Sequence, residues 1–236
     1  MLGLYDHGPS GNCYKVRLLL SFLRIPYNRI SIDLIKDKTK LSEVLSPISR
    51  SGQLPVLAIP IDHDHNNETL REYARKAVLD GTSSVTRIPS ASKSTFLTES
   101  NAILLYLASS TPLLPSSNPL HVAQTHEWLF WEQHSHEPNI ATLRWWLRFM
   151  DLGEDERYLD QIVEKQKRGY KALEVMEKHL DKKEWFVSDQ VSVVDVALYA
   201  YTCVCEEGGF SIDSFPNVKK WLKRFEGLPG YIGIDD

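Results

Sequence analysis

Strand-type and helix-type patterns are distributed unevenly along this chain of 236 residues. The apolar alternation typical of strands is interleaved with helical spacing in the first part of the chain, and only helical spacing follows. Strands with helices, followed by helices alone, predict an α/β domain and then a separate all-α domain. We predict the first domain at 1–109, a linker rich in proline, serine and threonine at 110–119, and the helical domain at 120–236.

The first domain opens with a strand, a turn and a helix. Residues Leu2–His7 alternate in polarity, Gly8–Gly11 has the composition of a turn, and helical spacing runs from Tyr14 to Leu23. A second strand is predicted over Ile30–Leu34, and a short helix over Leu41–Leu45. This order is that of an α/β unit.

Pro55 and the polar stretch 62–94 mark the second half of this domain. Because proline has no N–H for a strand ladder, Pro55 marks either the first residue of a strand or a turn with a cis bond, and its position favours the strand boundary. Residues 62–94 are predicted to be an insertion. A helix start follows at Thr98–Ser100.

Helical patterns fill the rest of the chain. Trp128–Trp131 belongs to one predicted helix, and an apolar stripe over Ile162–Leu180 marks another. The run from Val193 to Val204 is apolar nearly all round, which predicts a helix at the centre of a bundle. Ser192 is its predicted N-cap.

Charge and cysteine content exclude several classes of protein. A formal net charge of −4 does not favour binding to nucleic acid or acidic membranes, which requires concentrated positive charge. No basic and apolar leader or long apolar run is present, so we predict a cytoplasmic protein without a membrane partner. The odd set Cys13, Cys203 and Cys205 suits free thiols, with Cys203 and Cys205 predicted to be buried.

Five motifs, in this order, resemble signatures of the cytosolic glutathione S-transferase superfamily, and they are Ser10–Arg17, Gln53–Leu57, Glu99–Ile103, Trp128–Gln133 and Ser192–Asp195. The resemblance covers nearly the whole chain except 62–94. It implies a thioredoxin-like, glutathione-binding N-terminal domain followed by a helical-bundle C-terminal domain that binds the acceptor. It is closest in type to the serine-using theta, zeta and bacterial classes, and it implies a homodimer.

Three residues at the start of the first helix are candidates for activating the glutathione thiol. Lowering a thiol pKa by about two units from about 8.5 requires roughly 2.7 kcal/mol. A hydroxyl donor contributes roughly 1.5 to 3 kcal/mol and a helix N-terminus roughly 0.3 to 1 kcal/mol, so we favour Ser10 at the strand-to-helix turn. Alignment with an asparagine-using branch points to Asn12 instead. Cys13 suits mixed-disulfide chemistry, as in the cysteine-using branches.

Two further segments are predicted to bind the tripeptide. Glu99 and Ser100 fall at a helix start, where backbone donors attract the γ-glutamyl carboxylate and Glu99 accepts from the ammonium group. The backbone of Leu54, held before Pro55, pairs with the cysteinyl main chain as in strand addition, and Gln53 reaches the glycine end.

The histidine-rich segments 62–65 and 132–137 lack the spacing of a metal site, so no metal is predicted. Trp131, His134 and Trp145 are candidates for lining an acceptor pocket, against the alternative that tryptophans at helical spacing form core.

The sequence therefore predicts a detoxification enzyme, a glutathione transferase, whose Ser10-stabilised thiolate attacks a small hydrophobic electrophile. Two alternatives stay open at this point. The first is a non-catalytic module that binds glutathione or other ligands in a regulatory role. The second is a Cys13-dependent glutathione thiol-disulfide reductase or peroxidase.

Overall fold

The computed structural model describes residues 1–35, 38–60 and 94–236. These form two compact units, one of Met1–Ser110 with Pro229–Asp236 and one of Thr111–Leu228. The predicted insertion at 62–94 lies outside the described residues, apart from its last position, Ser94.

A four-stranded sheet lies in the described part of the first unit, in the order β2-β1-β3-β4. The strands are β1 (Leu2–Asp6), β2 (Tyr27–Ser31), β3 (Val56–Pro60) and β4 (Ser94–Leu97). β1 is parallel to β2 and antiparallel to β3, and β3 is antiparallel to β4. All five residues of β1 are buried, as expected for a central strand.

Within the described residues of this unit, three helices accompany the sheet: α1 (Gly11–Leu23), α2 (Lys38–Leu45) and α3 (Ser100–Ala108). Leu45 of α2 belongs to an apolar cluster with Tyr5, Val56 and Ala58, on one face of the sheet. α1 packs against α3. The predicted thioredoxin-like α/β architecture is confirmed.

Several boundaries in this unit differ from the sequence prediction, including the starts of β2 at Tyr27 and of α2 at Lys38. The second strand ends at Ser31 and not at Leu34, because its parallel partner β1 ends at Asp6, which pairs with Ser31. The first helix begins at Gly11 and not at Tyr14, because Ser10 caps it. Pro55 lies directly before β3, at the strand boundary that the sequence favoured.

The second unit is helical throughout its described residues. Its α-helices are α4 (Pro119–Trp131), α5 (Glu137–Arg144), α6 (Leu159–Leu180), α7 (Val193–Thr202) and α8 (Pro216–Glu226). Short π-helical segments follow α4 and α5, at Glu132–His136 and Trp145–Phe149, and a 3₁₀ turn spans Cys205–Gly208. The predicted all-α architecture is confirmed.

α7 is the buried centre of this unit, as predicted. All ten of its residues are buried, and Ser192 caps its N-terminus in a reciprocal capping box with Asp195. Cys205 is buried, as predicted, whereas the side chain of Cys203 is half-buried and not fully buried as predicted.

The C-terminal segment corrects the predicted division of the chain. Pro229–Asp236, assigned from sequence to the helical domain, belongs to the first unit because its backbone carbonyls accept hydrogen bonds from side chains of that unit. The predicted linker likewise packs with the helices, since the amide of Val193 donates to the carbonyl oxygen of Leu113 at 2.9 Å. In the part of the chain described here, no helix has the length and apolar character needed to cross a membrane.

Candidate functional site

Three segments singled out from the sequence leave the same edge of the sheet. Tyr5, near the end of β1, pairs with Val56 at the start of β3. Leu57 pairs in turn with Leu97 at the end of β4. The strand register therefore places the Ser10 turn, the segment before β3 and the start of α3 at one edge, as a composite site requires.

Ser10 stands at the N-cap of α1. Its backbone is extended (φ −72°, ψ 122°), and its Oγ accepts the Cys13 amide hydrogen at 3.3 Å. The side chain is half-buried. Capping uses a lone pair of the hydroxyl oxygen, so the O–H group can still donate, and the Cys13 side chain lies within its hydrogen-bonding reach.

Asn12 and Ser100 join the two helix N-termini. The Ser100 hydroxyl donates to Asn12 Oδ1 at 3.1 Å, and Ser100 is buried whereas Asn12 is half-buried. The first N–H groups of a helix lack intrahelical acceptors and carry the positive end of its dipole. The starts of α1 and α3 thus form a donor-rich region suited to an anionic ligand.

Cys13 lies beneath this region and not at its surface. It is fully buried, and its Sγ accepts from the His7 amide at 3.4 Å. Burial, with a further contribution from Asp6, raises the pKa of the Cys13 thiol to about 12. This environment favours an inert, protonated thiol.

Glu99 occupies an unusual backbone conformation. It precedes α3 with φ 67° and ψ 112°, and it is exposed. A positive φ is uncommon for a residue with a Cβ and costs of order 1 to 3 kcal/mol, and such strain clusters at ligand-binding sites. The conformation leaves the Glu99 carboxylate in solvent beside the start of α3.

The segment before β3 carries a cis peptide bond between Leu54 and Pro55. Pro55 is buried, Leu54 is half-buried and Gln53 is exposed. The backbone of Gln53 is held by Ser49, whose hydroxyl accepts from the Gln53 amide at 3.2 Å and donates to the Gln53 carbonyl at 3.1 Å.

A buried ion pair beneath Ser10 was missed by the sequence interpretation. Arg17 Nη1 donates to both carboxylate oxygens of Asp6, at 3.0 and 2.9 Å, and both side chains are almost fully buried. Arg29 Nε adds a contact of 2.6 Å to the same carboxylate. The sequence carried a signal, because alternation places Asp6 on the same face as Leu2 and Leu4, where an acidic residue requires a buried partner.

The helical unit contains a cavity of about 480 Å³ between α6 and the end of α4. Trp131 and His134 line it, together with Ala172 and Val175, whereas Trp145 is not among its lining residues. His136 lies away from solvent, with its Nε2 2.9 Å from the Thr202 hydroxyl. Among the residues that the structure describes, no group of three or more His, Cys, Asp or Glu side chains is placed to hold a metal; residues 62–65 lie outside them.

Family models match both units of the chain. The model described as "Glutathione S-transferase, N-terminal domain" matches residues 9–110, and the model described as "Glutathione S-transferase, C-terminal domain" matches residues 138–229. Together they cover most of the chain and include every candidate residue for glutathione binding, from Ser10 to Ser100, whereas Trp131 and His134 lie between the two matched ranges.

Solved structures and curated relatives agree with these models. A glutathione S-transferase from Pseudomonas fluorescens Pf-5 is 33% identical, with a TM-score of 0.80, over 100% of this chain and 99% of that chain. A glutathione transferase family member from the same bacterium, with two glutathione molecules bound, shares the fold at 23% identity and a TM-score of 0.72, over 97% and 89% of the two chains. The protein URE2 of Eremothecium gossypii is 24% identical over 97% of this chain, which spans 66% of that relative's length.

Proposed function

The chain belongs to the glutathione S-transferase superfamily, and from this premise we propose that it binds glutathione as a co-substrate and holds its sulfur as a thiolate beside Ser10. The thiolate then attacks a small hydrophobic electrophile. A carbon–sulfur bond forms, and a leaving group such as chloride departs with its electron pair. The thiol proton passes to solvent when the thiolate forms.

The observation that carries this proposal is the geometry of Ser10. Its oxygen caps α1 by accepting the Cys13 amide hydrogen, and its hydroxyl hydrogen is proposed to donate to a sulfur anion at the helix N-terminus. A hydrogen bond to a charged acceptor contributes roughly 1.5 to 3 kcal/mol, and the helix dipole roughly 0.3 to 1 kcal/mol. Together they supply the roughly 2.7 kcal/mol that lowers a thiol pKa by about two units.

The rest of the tripeptide is proposed to lie along the same sheet edge. The N-terminus of α3 at Ser100 receives the γ-glutamyl carboxylate, and the exposed Glu99 carboxylate receives the ammonium group. The backbone beside the cis bond at Leu54 pairs with the cysteinyl main chain, and Gln53 serves the glycyl end. A relative with two bound glutathione molecules supports a glutathione site on this fold.

The geometry favours Ser10 over the other two candidates. Asn12 Oδ1 is engaged by Ser100, which supports a role for Asn12 in holding the two helix ends together. Cys13 is buried with a raised thiol pKa, which disfavours the disulfide-reductase alternative because a thiolate is the attacking species in that chemistry.

The acceptor, the assembly and the compartment are proposals from family membership. We propose a homodimeric, cytoplasmic transferase in detoxification, with no nucleic-acid or membrane partner, whose acceptor is largely apolar. We propose that the acceptor occupies the cavity beside Trp131 and Val175, whose lining also includes Lys165, Arg168 and Lys171.

A matched pair of substitutions tests the role of Ser10. Ser10→Thr keeps both the hydroxyl and the helix cap, whereas Ser10→Gly removes the hydroxyl and costs only a few tenths of a kcal/mol in capping. With a chloronitrobenzene acceptor at pH 6.5, we expect Ser10→Gly to lose at least about tenfold in conjugation rate and Ser10→Thr to lose far less. Full activity in Ser10→Gly combined with loss in Asn12→Ala transfers the role to Asn12.

A second function, a non-catalytic glutathione-binding module, is compatible with the same donor-rich helix ends, because binding alone requires no acceptor. Retention on immobilised glutathione, with neither conjugation nor peroxide reduction over a panel of acceptors, supports this module over the transferase. A glutathione-dependent reductase activity that is lost when Cys13 is alkylated would instead support the Cys13-dependent reductase.

A further inference from the structure

One face of α1 donates hydrogen bonds to the C-terminal segment Pro229–Asp236. The Tyr14 hydroxyl donates to the carbonyl of Ile232 at 2.6 Å, and the Ser21 hydroxyl donates to the carbonyl of Gly230 at 2.7 Å. Between them, Arg17 Nη2 donates to the carbonyl of Ile234 at 2.5 Å. Spacings of three and four residues place these three donors in one stripe along the helix.

Arg17 also reaches the loop that carries Ser10. Its Nη2 donates to the carbonyl of Gly8 at 3.0 Å, while its Nη1 donates to the Asp6 carboxylate at the end of β1. One rigid guanidinium therefore connects the strand end, the loop and the C-terminal segment.

Little backbone freedom separates the hydrogen bond between Arg17 and the Gly8 carbonyl from the Ser10 hydroxyl. Only Pro9 lies between Gly8 and Ser10, and its ring fixes its own φ. The Ser10 amide donates back to the His7 carbonyl at 2.9 Å, which closes the turn. Holding the Gly8 carbonyl therefore holds the position from which the Ser10 hydroxyl projects.

The C-terminal segment combines these hydrogen bonds with a close approach of Gly230 to Phe22 of α1. A cavity of about 380 Å³ lies beside Ile232, bounded by Arg17, Ser21 and Tyr27 among others. Hydrogen bonds from Tyr14, Arg17 and Ser21 hold the segment in place along the α1 stripe. Arg29 adds a bond of 2.9 Å from Nη1 to the carbonyl of Asp236.

We propose that Arg17, together with the C-terminal segment that it binds, is a positioning device for Ser10 and so sets the acidity of bound glutathione. This inference rests on the proposed function. Arg17 acts through the Gly8–Ser10 loop and contacts no reacting atom. The C-terminal segment thereby contributes to the site, although it lies more than 200 positions away in sequence from its hydrogen-bonding partners in α1.

The variant that isolates this role is Arg17→Lys. Lysine keeps one positive charge opposite Asp6, but a single ammonium cannot reproduce the fork that reaches Gly8, Ile234 and the carboxylate together. The matched control is Arg24→Lys, an exposed arginine at the end of the same helix.

The readout is the pKa of the bound glutathione thiol, measured by the ultraviolet absorbance of the thiolate over a pH series. This readout needs no acceptor. In Arg17→Lys we expect the thiol pKa to rise by about one unit, which is about tenfold less thiolate at pH 6, with glutathione affinity changed less than threefold. Arg24→Lys is expected to match the unmodified protein.

The double variant Ser10→Gly with Arg17→Lys tests whether Arg17 acts through Ser10. We expect its thiol pKa to equal that of Ser10→Gly alone, because a positioning residue has no effect once the positioned hydroxyl is gone. Additive shifts would show a direct effect of Arg17 on the sulfur and overturn the inference.

The remaining outcomes separate the two proposals. A raised thiol pKa in Ser10→Gly with none in Arg17→Lys overturns the inference and leaves the proposed function intact. No shift in Ser10→Gly, or no glutathione binding, overturns both. If Arg17→Lys does not fold, the pair Tyr14→Phe with Ser21→Ala removes two donors to the segment without changing charge, and an unaltered thiol pKa in that variant overturns the inference.

Discussion

Asp195 offers a sharp test of how the helical unit is held together. Its carboxylate is fully buried and accepts from the Ser192 amide and hydroxyl, at 2.9 and 3.0 Å. It also accepts from the Phe186 amide at 3.3 Å and from the Trp221 indole at 3.1 Å. These contacts tie the start of α7 to α8 and to the segment that follows α6.

Burial raises the pKa of Asp195 to about 6, against the opposing effect of its hydrogen bonds. The folded protein therefore binds this proton more tightly than the unfolded chain, whose aspartates titrate near 3.8. The resulting stability is complete below the unfolded pKa and is lost as the pH rises through about 6. Between pH 4.5 and 7.5 the loss from this one group is about 2 kcal/mol.

Replacing Asp195 by asparagine removes this titration while keeping an acceptor oxygen. We expect the stability advantage of the unmodified protein over Asp195→Asn to shrink by about 2 kcal/mol between pH 4.5 and 7.5. Urea unfolding followed by tryptophan fluorescence at several pH values measures it, with the exposed Asp189→Asn as control. An advantage that grows with pH would refute the reasoning, because it would mean that the four donors outweigh burial.

Three further predictions concern other positions. Gly169→Ala should destabilise the protein by roughly 1 to 3 kcal/mol in urea unfolding, since a Cβ there would lie 2.4 Å from the Phe210 ring; unchanged stability would contradict that packing. Cys13 should resist iodoacetamide at pH 8 in the folded protein and react in urea, because burial raises its pKa to about 12; rapid labelling by mass spectrometry without urea would contradict this. Glu99→Gly should keep or raise the melting temperature by relieving a positive φ while weakening glutathione binding by calorimetry, and unchanged affinity would argue against Glu99 as the ammonium acceptor.

Local patterns predicted the parts of the fold that depend on local physics. The buried helix α7 and its cap at Ser192 follow from apolar composition and capping chemistry within a few residues. The end of β2 at Ser31 could not be predicted in this way, because it is decided by pairing with β1, whose last residue is Asp6. Register is a non-local property, and alternation within one strand does not contain it.

In the candidate site, too, local features could be predicted from the sequence and non-local contacts could not. Candidate positions at helix starts, such as Ser10 and Glu99, were identified because turns and caps have local signatures. The bond between Asn12 and Ser100 and the attachment of the C-terminal segment to Arg17 join residues far apart in sequence, and polarity patterns carry no signal for them. Only the fold brings those groups together.

On the proposed function, glutathione loses its thiol proton when it binds beside Ser10. This proton loss is tested most directly by titration calorimetry at pH 7 in buffers of different ionisation enthalpy, which counts protons released per glutathione bound. A thiol pKa lowered from about 8.5 to about 6.5 predicts release of about 0.7 proton in the unmodified protein and far less in Ser10→Gly. Binding heats that do not depend on the buffer, or no binding heat at all, would contradict the account.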